Sequence, residues 1–365
     1  MPKTKEKAPA VCRPAGAKSS DKLALRQAEH IRESIGLQAE SSSTLEELYK
    51  RFTPRKAESA DLSEVYYRLY KEEELNNDEW LRRAIRVQDC GTLLEFAHAL
   101  DHGKIDPHGT LVNANFCKDR LCPMCAWRRS RKVFGQVSRV MEKIQDKYKF
   151  LFLTLTVRNV PAESLSDALN RLNSAFNQLM RQKLVKKVVK GYFRALEVSY
   201  NHNSKTYHPH FHCVLAVPKG YLSNGDYISR DKWLELWRKC YKDDSITQVD
   251  IRVCRNKNSS VNDADISSAV AEVAKYAVKQ KINTLPDEAI KVLALSLKGR
   301  RLAVFGLAFR KVYDELGLED AESESADLVH LDGKLDPNLA YMIVRYEWTC
   351  GAYKMKDVLN LPRCV

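Results

Sequence analysis

Between residues 147 and 282 the hydrophobic pattern switches regularly between two periods. KYKFLFLTLTVRN (147–159) is rich in β-branched and aromatic residues over a strand-sized run. From Ala162 to about Val189 apolar positions recur at helical spacing. YFRALEVSY (192–200) and HPHFHCVLAV (208–217) return to the strand pattern, with the polar turn NHNSKT between them. A helix carrying WLELWRKCY begins near Ser229–Asp231, where Ser or Asp supplies an N-cap. The strand TQVDIRVCR (247–255) and the helix-forming run SSAVAEVAKYAVKQK complete the series. The order β-α-β-β-α-β-α predicts an α+β fold: an antiparallel sheet of four or five strands with helices packed on one side, the ferredoxin-like arrangement.

The flanking regions differ in character. Residues 1–20 are polar and basic with no apolar stretch, a disordered arm rather than a secretory signal. Residues 21–79 are amphipathic and helix-rich, as in STLEELYKRF and LSEVYYRLYKEEE, with no evident chemistry. Residues 80–146 hold a cysteine cluster, and the regularly patterned unit at 147–283 follows it. A helical extension is expected over 284–314, an acidic serine-rich linker over 315–336, and a C-terminal segment with the strand-like YMIVRYEW over 337–365.

Composition changes this picture in three ways. A formal charge of +13, from 60 Lys+Arg against 47 Asp+Glu, favours a polyanionic partner without identifying it. No apolar run is long enough to span a membrane, and with no export signal the expected compartment is cytoplasmic. The 10 cysteines therefore read as thiols and metal ligands rather than disulfides, with Cys213, Cys240 and Cys254 as buried core thiols.

Side chains alternate across a strand, so His208, His210 and His212 share one face and Phe211 takes the other. The neighbouring antiparallel strand offers Glu197. Two imidazoles and a carboxylate make a divalent metal site with positions left for a phosphate oxygen and water. A non-haem iron site has the same ligand set, and a strand histidine is ordinarily structural; both readings stand open. His208, which precedes Pro209, is either a further ligand, a phosphate contact or the start of the strand.

Glu272 and Tyr276 lie four apart in the last helical run, side by side on one face, with Lys279 on the same face. A tyrosine phenol, with an unperturbed pKa of about 10, needs a base, cations or an activated phosphate to attack at neutral pH. Glu272 can take the phenolic proton or activate water, and Lys279 can hold a phosphate or stabilise phenolate. The chain has 16 tyrosines, so this pair gains weight only from following the histidine strand.

Upstream, Cys117-x₄-Cys122-x₂-Cys125 is three-quarters of a tetrahedral thiolate site, and Cys90 is the best fourth ligand, with His98, His102 and His108 as alternatives. Structural Zn²⁺ is the expected occupant, against free buried thiols. Trp127, Arg128, Arg129, Arg131 and Lys132 follow at once, a basic and aromatic run suited to phosphate contact and base stacking, or a solvated helix face. Lys187, with Arg181, Lys183, Lys186 and Lys190, either lines a nucleic-acid groove or keeps the surface soluble.

Taken together, FLTLT (152–156), HPHFH (208–212) and EVAKYAVK (272–279) resemble the motif set of the HUH endonucleases, most closely the rolling-circle replication initiators of small bacterial plasmids. NFCKDRLCPMCAWRRSRK (115–132) is similar to the cysteine-rich run preceding the nuclease in that group. The resemblance covers roughly residues 80–282. It implies Mg²⁺ or Mn²⁺ at His210 and His212, with Glu197 where relatives place a third ligand. It further implies nicking of single-stranded or supercoiled plasmid origin DNA by Tyr276, leaving a 5′-phosphotyrosine and a 3′-OH primer for host helicase and DNA polymerase. Glu272 matches the residue that activates water to end replication. A homodimer stays open, as do a relaxase or single-strand transposase of the same chemistry and a non-catalytic, zinc-stabilised DNA-binding protein.

Overall fold

A computed structural model describes residues 49–72, 78–101, 104–106, 109–255, 264–265, 270, 282–331 and 335–361. In chain order the elements are α1 (Thr53–Glu72), α2 (Asp78–Asp89), β1 (Leu93–Asp101), β2 (Lys104–Ile105), β3 (Thr110–Ala114) and α3 (Pro123–Ile144). Next come β4 (Tyr148–Thr156), α4 (Leu165–Arg181), α5 (Lys183–Val188), β5 (Gly191–Asn201), β6 (Thr206–Pro218), α6 (Arg230–Tyr241), β7 (Val249–Arg255) and β8 (Ala264–Asp265). The chain ends with α7 (Asp287–Ser296), β9 (Ala303–Leu307), α8 (Ala308–Glu315), β10 (Ala340–Thr349) and β11 (Ala352–Leu361). Among the described residues no helix is long and apolar enough to cross a membrane.

Contacts divide the chain into two compact units, Met1–Ala57 with Gly91–Asn115 and Asp332–Val365, and Glu58–Cys90 with Phe116–Leu331. In the first, β1 pairs antiparallel with β10, β2 and β3, and β11 extends the sheet from β10. The strand-like YMIVRYEW is β10. An aromatic cluster closes one face, with Phe52 edge-on to Phe96 at 5.7 Å and Tyr49 against Tyr346 at 4.9 Å.

The second unit is built on a six-stranded sheet ordered β8-β7-β4-β6-β5-β9. Its four central strands, β7-β4-β6-β5, are antiparallel and joined β4-α4-β5-β6-α6-β7, the split βαβ order expected from the sequence. Two departures follow from residues outside that pattern. First, helices cover both faces. Leu151, Leu153, Phe211 and Leu215 are buried on the α4 and α6 side, where Phe211 meets Phe176 of α4 at 5.5 Å. On the other face Phe150, Phe152, Phe193 and Val214 pack with Val137, Val140 and Met141 of α3 and Phe309 of α8. Each fully buried aromatic or aliphatic side chain contributes about 1.5–3 kcal/mol, so this second layer is a substantial part of the core.

Second, AVFGL within the expected helical extension is β9, paired with β5. A Cβ at Gly306 would overlap the Tyr192 ring, so strand pairing there depends on glycine. The expected acidic linker is also a packed segment through Leu331: Ala321, Ala326 and Leu328 are buried. Gln136 Nε2 donates to the Glu319 carbonyl at 2.6 Å, and Arg120 pairs with Glu322 at 2.6 Å. Cys213, Cys240 and Cys254 are buried, as their apolar surroundings predict.

Candidate functional site

The register of the second sheet assembles one polar cluster in an otherwise apolar stack. His210 stands opposite Glu197 on β5 and opposite Thr156 on β4; His212 stands opposite Ala195 and Thr154. All of these lie on one face by strand alternation, while Phe211 between them anchors β6 to α4. Glu197, His210 and His212 are 2 %, 7 % and 8 % exposed, so each must find its partners within the protein.

Their metal-binding atoms lie within 4.8 Å of one another. Glu197 Oε1 is 3.5 Å from His210 Nε2, and Oε2 is 3.3 Å from His212 Nε2. The outer nitrogens are engaged elsewhere: His210 Nδ1 is 3.1 Å from the His208 carbonyl and His212 Nδ1 is 3.3 Å from Thr154 Oγ1. A carbonyl only accepts, so His210 Nδ1 is the donor to it and Nε2 is the ring nitrogen that faces Glu197. Burial alone would push the Glu197 carboxyl up, but hydrogen bonds and charge from His210 and His212 outweigh it and hold the group well below the usual carboxylate range. Among the described residues, Glu197 Oε1 is buried with no hydrogen bond of good geometry, His210 Nε2 at 3.5 Å being its nearest polar neighbour. An orphaned carboxylate oxygen facing two inward imidazoles fits a divalent metal ion.

Not all of the expected residues join this cluster. The His208 ring stacks on that of His210 at 5.1 Å, and its carbonyl fixes the His210 tautomer, but its imidazole is not among the three converging groups. Glu272, Tyr276 and Lys279 lie outside the described residues. Val270, two residues before Glu272, is 1 % exposed in the core with Phe152 and Val214, on the face that carries the triad.

A second cluster forms where α2 ends and α3 begins. Cys90, Cys117, Cys122 and Cys125 place four sulfurs within 4.8 Å of one another. The Cys90–Cys125 and Cys90–Cys122 separations are 3.5 Å and Cys117–Cys125 is 3.7 Å. Four thiolates about 2.3 Å from a tetrahedral zinc stand about 3.8 Å apart, so the fit is close. Cys122 caps α3 and Pro123 takes its first position, where a missing N–H costs nothing. Lys118, at φ +61°, turns its N–H to Cys125 Sγ at 3.1 Å. Cys117 N–H and Asp119 N–H donate to Cys90 Sγ and Cys117 Sγ, each at 3.4 Å. Burial pushes the Cys122 thiol up, but contacts with Cys117, Cys125, Cys90 and Ser59 bring it well below the usual thiol range. The other three are pushed up, Cys90 and Cys117 by their neighbouring sulfurs first, so a second negative charge needs a bound cation.

Sequence reading missed the shell around this knuckle. Asp119 accepts from Leu121 N–H at 2.9 Å, Tyr66 Oη at 3.1 Å and Arg83 Nε at 2.9 Å. Arg86 donates to the Cys117 carbonyl at 2.6 Å. The short Asp119–Leu121 turn was the sole local signal; the helical partners become visible only when α1 and α2 pack.

The basic run after the cysteines is used differently from the expected nucleic-acid face. Arg128 and Arg129 are buried and donate to backbone carbonyls: Arg128 to Leu328 and Val329, both at 2.7 Å, and Arg129 to Lys118 at 2.6 Å. Five fixed donors suit guanidinium to several carbonyls at once, and these two groups face the interior rather than a phosphate. Lys132 pairs with Glu319 at 2.5 Å. Trp127 is half-buried beside the exposed Arg131, and the exposed Lys187 pairs with Asp226 at 2.5 Å.

Comparison with known proteins gives one consistent result. A family model described as "Replication protein" matches residues 108–354. "Protein rep" of Bacillus amyloliquefaciens is 36% identical over 290 residues, covering 74% of this chain and 83% of the relative. "Protein rep" of a Bacillus species is 35% identical over 300 residues, covering 77% and 94%. "Protein rep" of Staphylococcus aureus is 40% identical over 198 residues, covering 53% and 80%. No solved structure matches the chain.

Proposed function

Because the chain belongs to the replication protein family, we propose that it initiates plasmid rolling-circle replication as a metal-dependent nickase and strand transferase. The observation that supports this chemistry is the buried Glu197–His210–His212 cluster with its orphaned carboxylate oxygen. Mg²⁺ or Mn²⁺ held by these three residues would polarise a phosphodiester for in-line attack. Glu197 supplies hard oxygen and negative charge, and His208 and Thr154 keep the two imidazoles aimed inward. Val270 carries the chain along the triad's face just before Glu272 and Tyr276, which supports delivery of both to the same phosphate.

In this reading the Tyr276 hydroxyl gives up its proton to Glu272 and attacks phosphorus. The bond from phosphorus to the 3′-oxygen breaks, and that oxygen takes a proton and leaves as a 3′-OH. The product is a 5′-phosphotyrosine, with the 3′-OH as primer for a host polymerase behind a host helicase in the cytoplasm. Lys279 offsets charge on the phosphate. Glu272 later activates a water that cleaves the phosphotyrosine. Zn²⁺ at Cys90, Cys117, Cys122 and Cys125 orders the region in front of the sheet.

Wild type and Tyr276→Phe protein, incubated with Mn²⁺ and labelled single-stranded plasmid-origin DNA, distinguish the outcomes on a denaturing gel. A covalent band is expected for wild type and absent for Tyr276→Phe and for His210→Ala. Folded wild-type protein that binds the DNA without forming an adduct would make it a non-catalytic, zinc-stabilised binder.

A further inference from the structure

Three strands away from Glu197, the same face carries a charged residue that belongs to none of the motifs. Arg252 on β7 is in register with Phe152 on β4, and Asp250 with Thr154. The Arg252 guanidinium lies 5.4 Å from the centre of the Phe152 ring. That ring in turn stacks on His212 at 5.6 Å, with 28° between planes. A cation, an aromatic ring and a metal-site imidazole thus form one continuous stack. Phe152 is buried, whereas the Arg252 side chain is 58% exposed. Stacking restrains the guanidinium plane while leaving its N–H groups available to solvent.

Its ion-pair partner is Asp250, 2.6 Å away and itself 47% exposed. A pair this exposed contributes little stability, so a phosphate can replace the carboxylate at small cost. Arginine binds phosphate through two parallel N–H donors, and this arginine lies one aromatic ring from the triad. We infer, resting on the strand-transfer reading above, that Arg252 is a substrate-binding residue holding a backbone phosphate neighbouring the one presented to Glu197, His210 and His212. Asp250 keeps the guanidinium in place before DNA arrives and competes with that phosphate. Bound single strand then crosses the sheet from β7 towards β5.

The test measures binding of the full-length chain to a fluorescein-labelled oligothymidylate by anisotropy, over a series of salt concentrations with Mg²⁺ present. All proteins carry Tyr276→Phe, so no nicking complicates the equilibrium. Arg252→Ala should weaken binding about tenfold at low salt and reduce the log–log salt slope by about 0.7, the value for one single-strand phosphate. Arg252→Lys should restore the slope, because a point charge still displaces a counterion, while regaining only part of the affinity. Asp250→Asn should tighten binding by about two- to fivefold, the scale of an exposed ion pair. Unchanged Mn²⁺ affinity in Arg252→Ala is expected; loss of Mn²⁺ with an unchanged salt slope would make Arg252 a structural prop for His212 and overturn the inference. The adduct assay with native Tyr276 stays separate. An adduct with no slope change leaves the nuclease reading intact and removes Arg252 from the DNA path, whereas a slope change with no adduct keeps the phosphate contact and removes the nicking.

Discussion

The cysteine cluster and the Glu197–His210–His212 cluster are both suited to metal, yet they are built on opposite principles. The cysteines come from a helix end, a turn and the first residues of α3. Backbone N–H groups of Cys117, Lys118 and Asp119 donate to their sulfurs, and Arg83, Arg86 and Tyr66 brace the loop. Four ligands, all inward, leave no coordination position for a substrate. The triad sits on paired strands, offers three residues and retains a carboxylate oxygen with no hydrogen-bond partner among the described residues. A closed site stabilises a fold, whereas an open one binds something in passing. The backbone differs in the same way: inter-strand pairing positions the triad, whereas the knuckle is a turn whose N–H groups point at its own sulfurs.

The largest expected effect comes from Cys122→Ser. Structural zinc supplies roughly 10–16 kcal/mol of apparent binding energy in small zinc domains, so its loss should unfold the segment around α1, α2 and the start of α3. Hydrogen exchange should show those amides losing protection and metal analysis should show zinc absent. Full protection without zinc would break the comparison. Glu197→Gln comes next, with an opposite profile. Mn²⁺ affinity should fall more than about 100-fold, beyond the range of outer-sphere changes, while the sheet stays folded and the apo protein still melts cooperatively. Isothermal titration and a thermal melt on one sample read both. Chelation gives a milder form of the same contrast. Brief EDTA treatment should remove the triad's ion and abolish nicking, which added Mn²⁺ restores, with zinc retained; release of zinc at the same rate would show that the knuckle is open after all.

How much of this was legible in the sequence follows from how local each feature is. The strand order was readable because β4 to β7 are strand-sized runs rich in β-branched and aromatic residues with clear turns, and Glu197 could be paired with His210 because a short hairpin fixes their register. Cys117, Cys122 and Cys125 carry their own spacing. Arg128 and Arg129 misled because a basic run looks the same whether it faces solvent or the carbonyls of Lys118 and Leu328; those partners lie far apart in the chain. AVFGL misled because its neighbours are helical and strand pairing with β5 is a tertiary fact. Arg252 carried no signal, since its neighbour Phe152 reaches it only across strands.

The smallest effect separates the two sites most cleanly. Thr154→Val preserves side-chain shape and removes the hydroxyl 3.3 Å from His212 Nδ1. With one open-site ligand left to rotate and a buried ring nitrogen without its partner, Mn²⁺ affinity should drop about tenfold, the lower range for outer-sphere changes at a metal. The matching change at the knuckle is Ser59→Ala, which removes a hydroxyl 3.4 Å from Cys122 Sγ. There the position of Cys122 is already set by the α3 N-terminus and by three other sulfurs, so zinc occupancy should stay full through the same dialysis. Metal titration of the two variants in parallel decides it. Equal losses would mean that both sites depend on single side-chain supports, and the distinction between a closed and an open centre would no longer describe this protein.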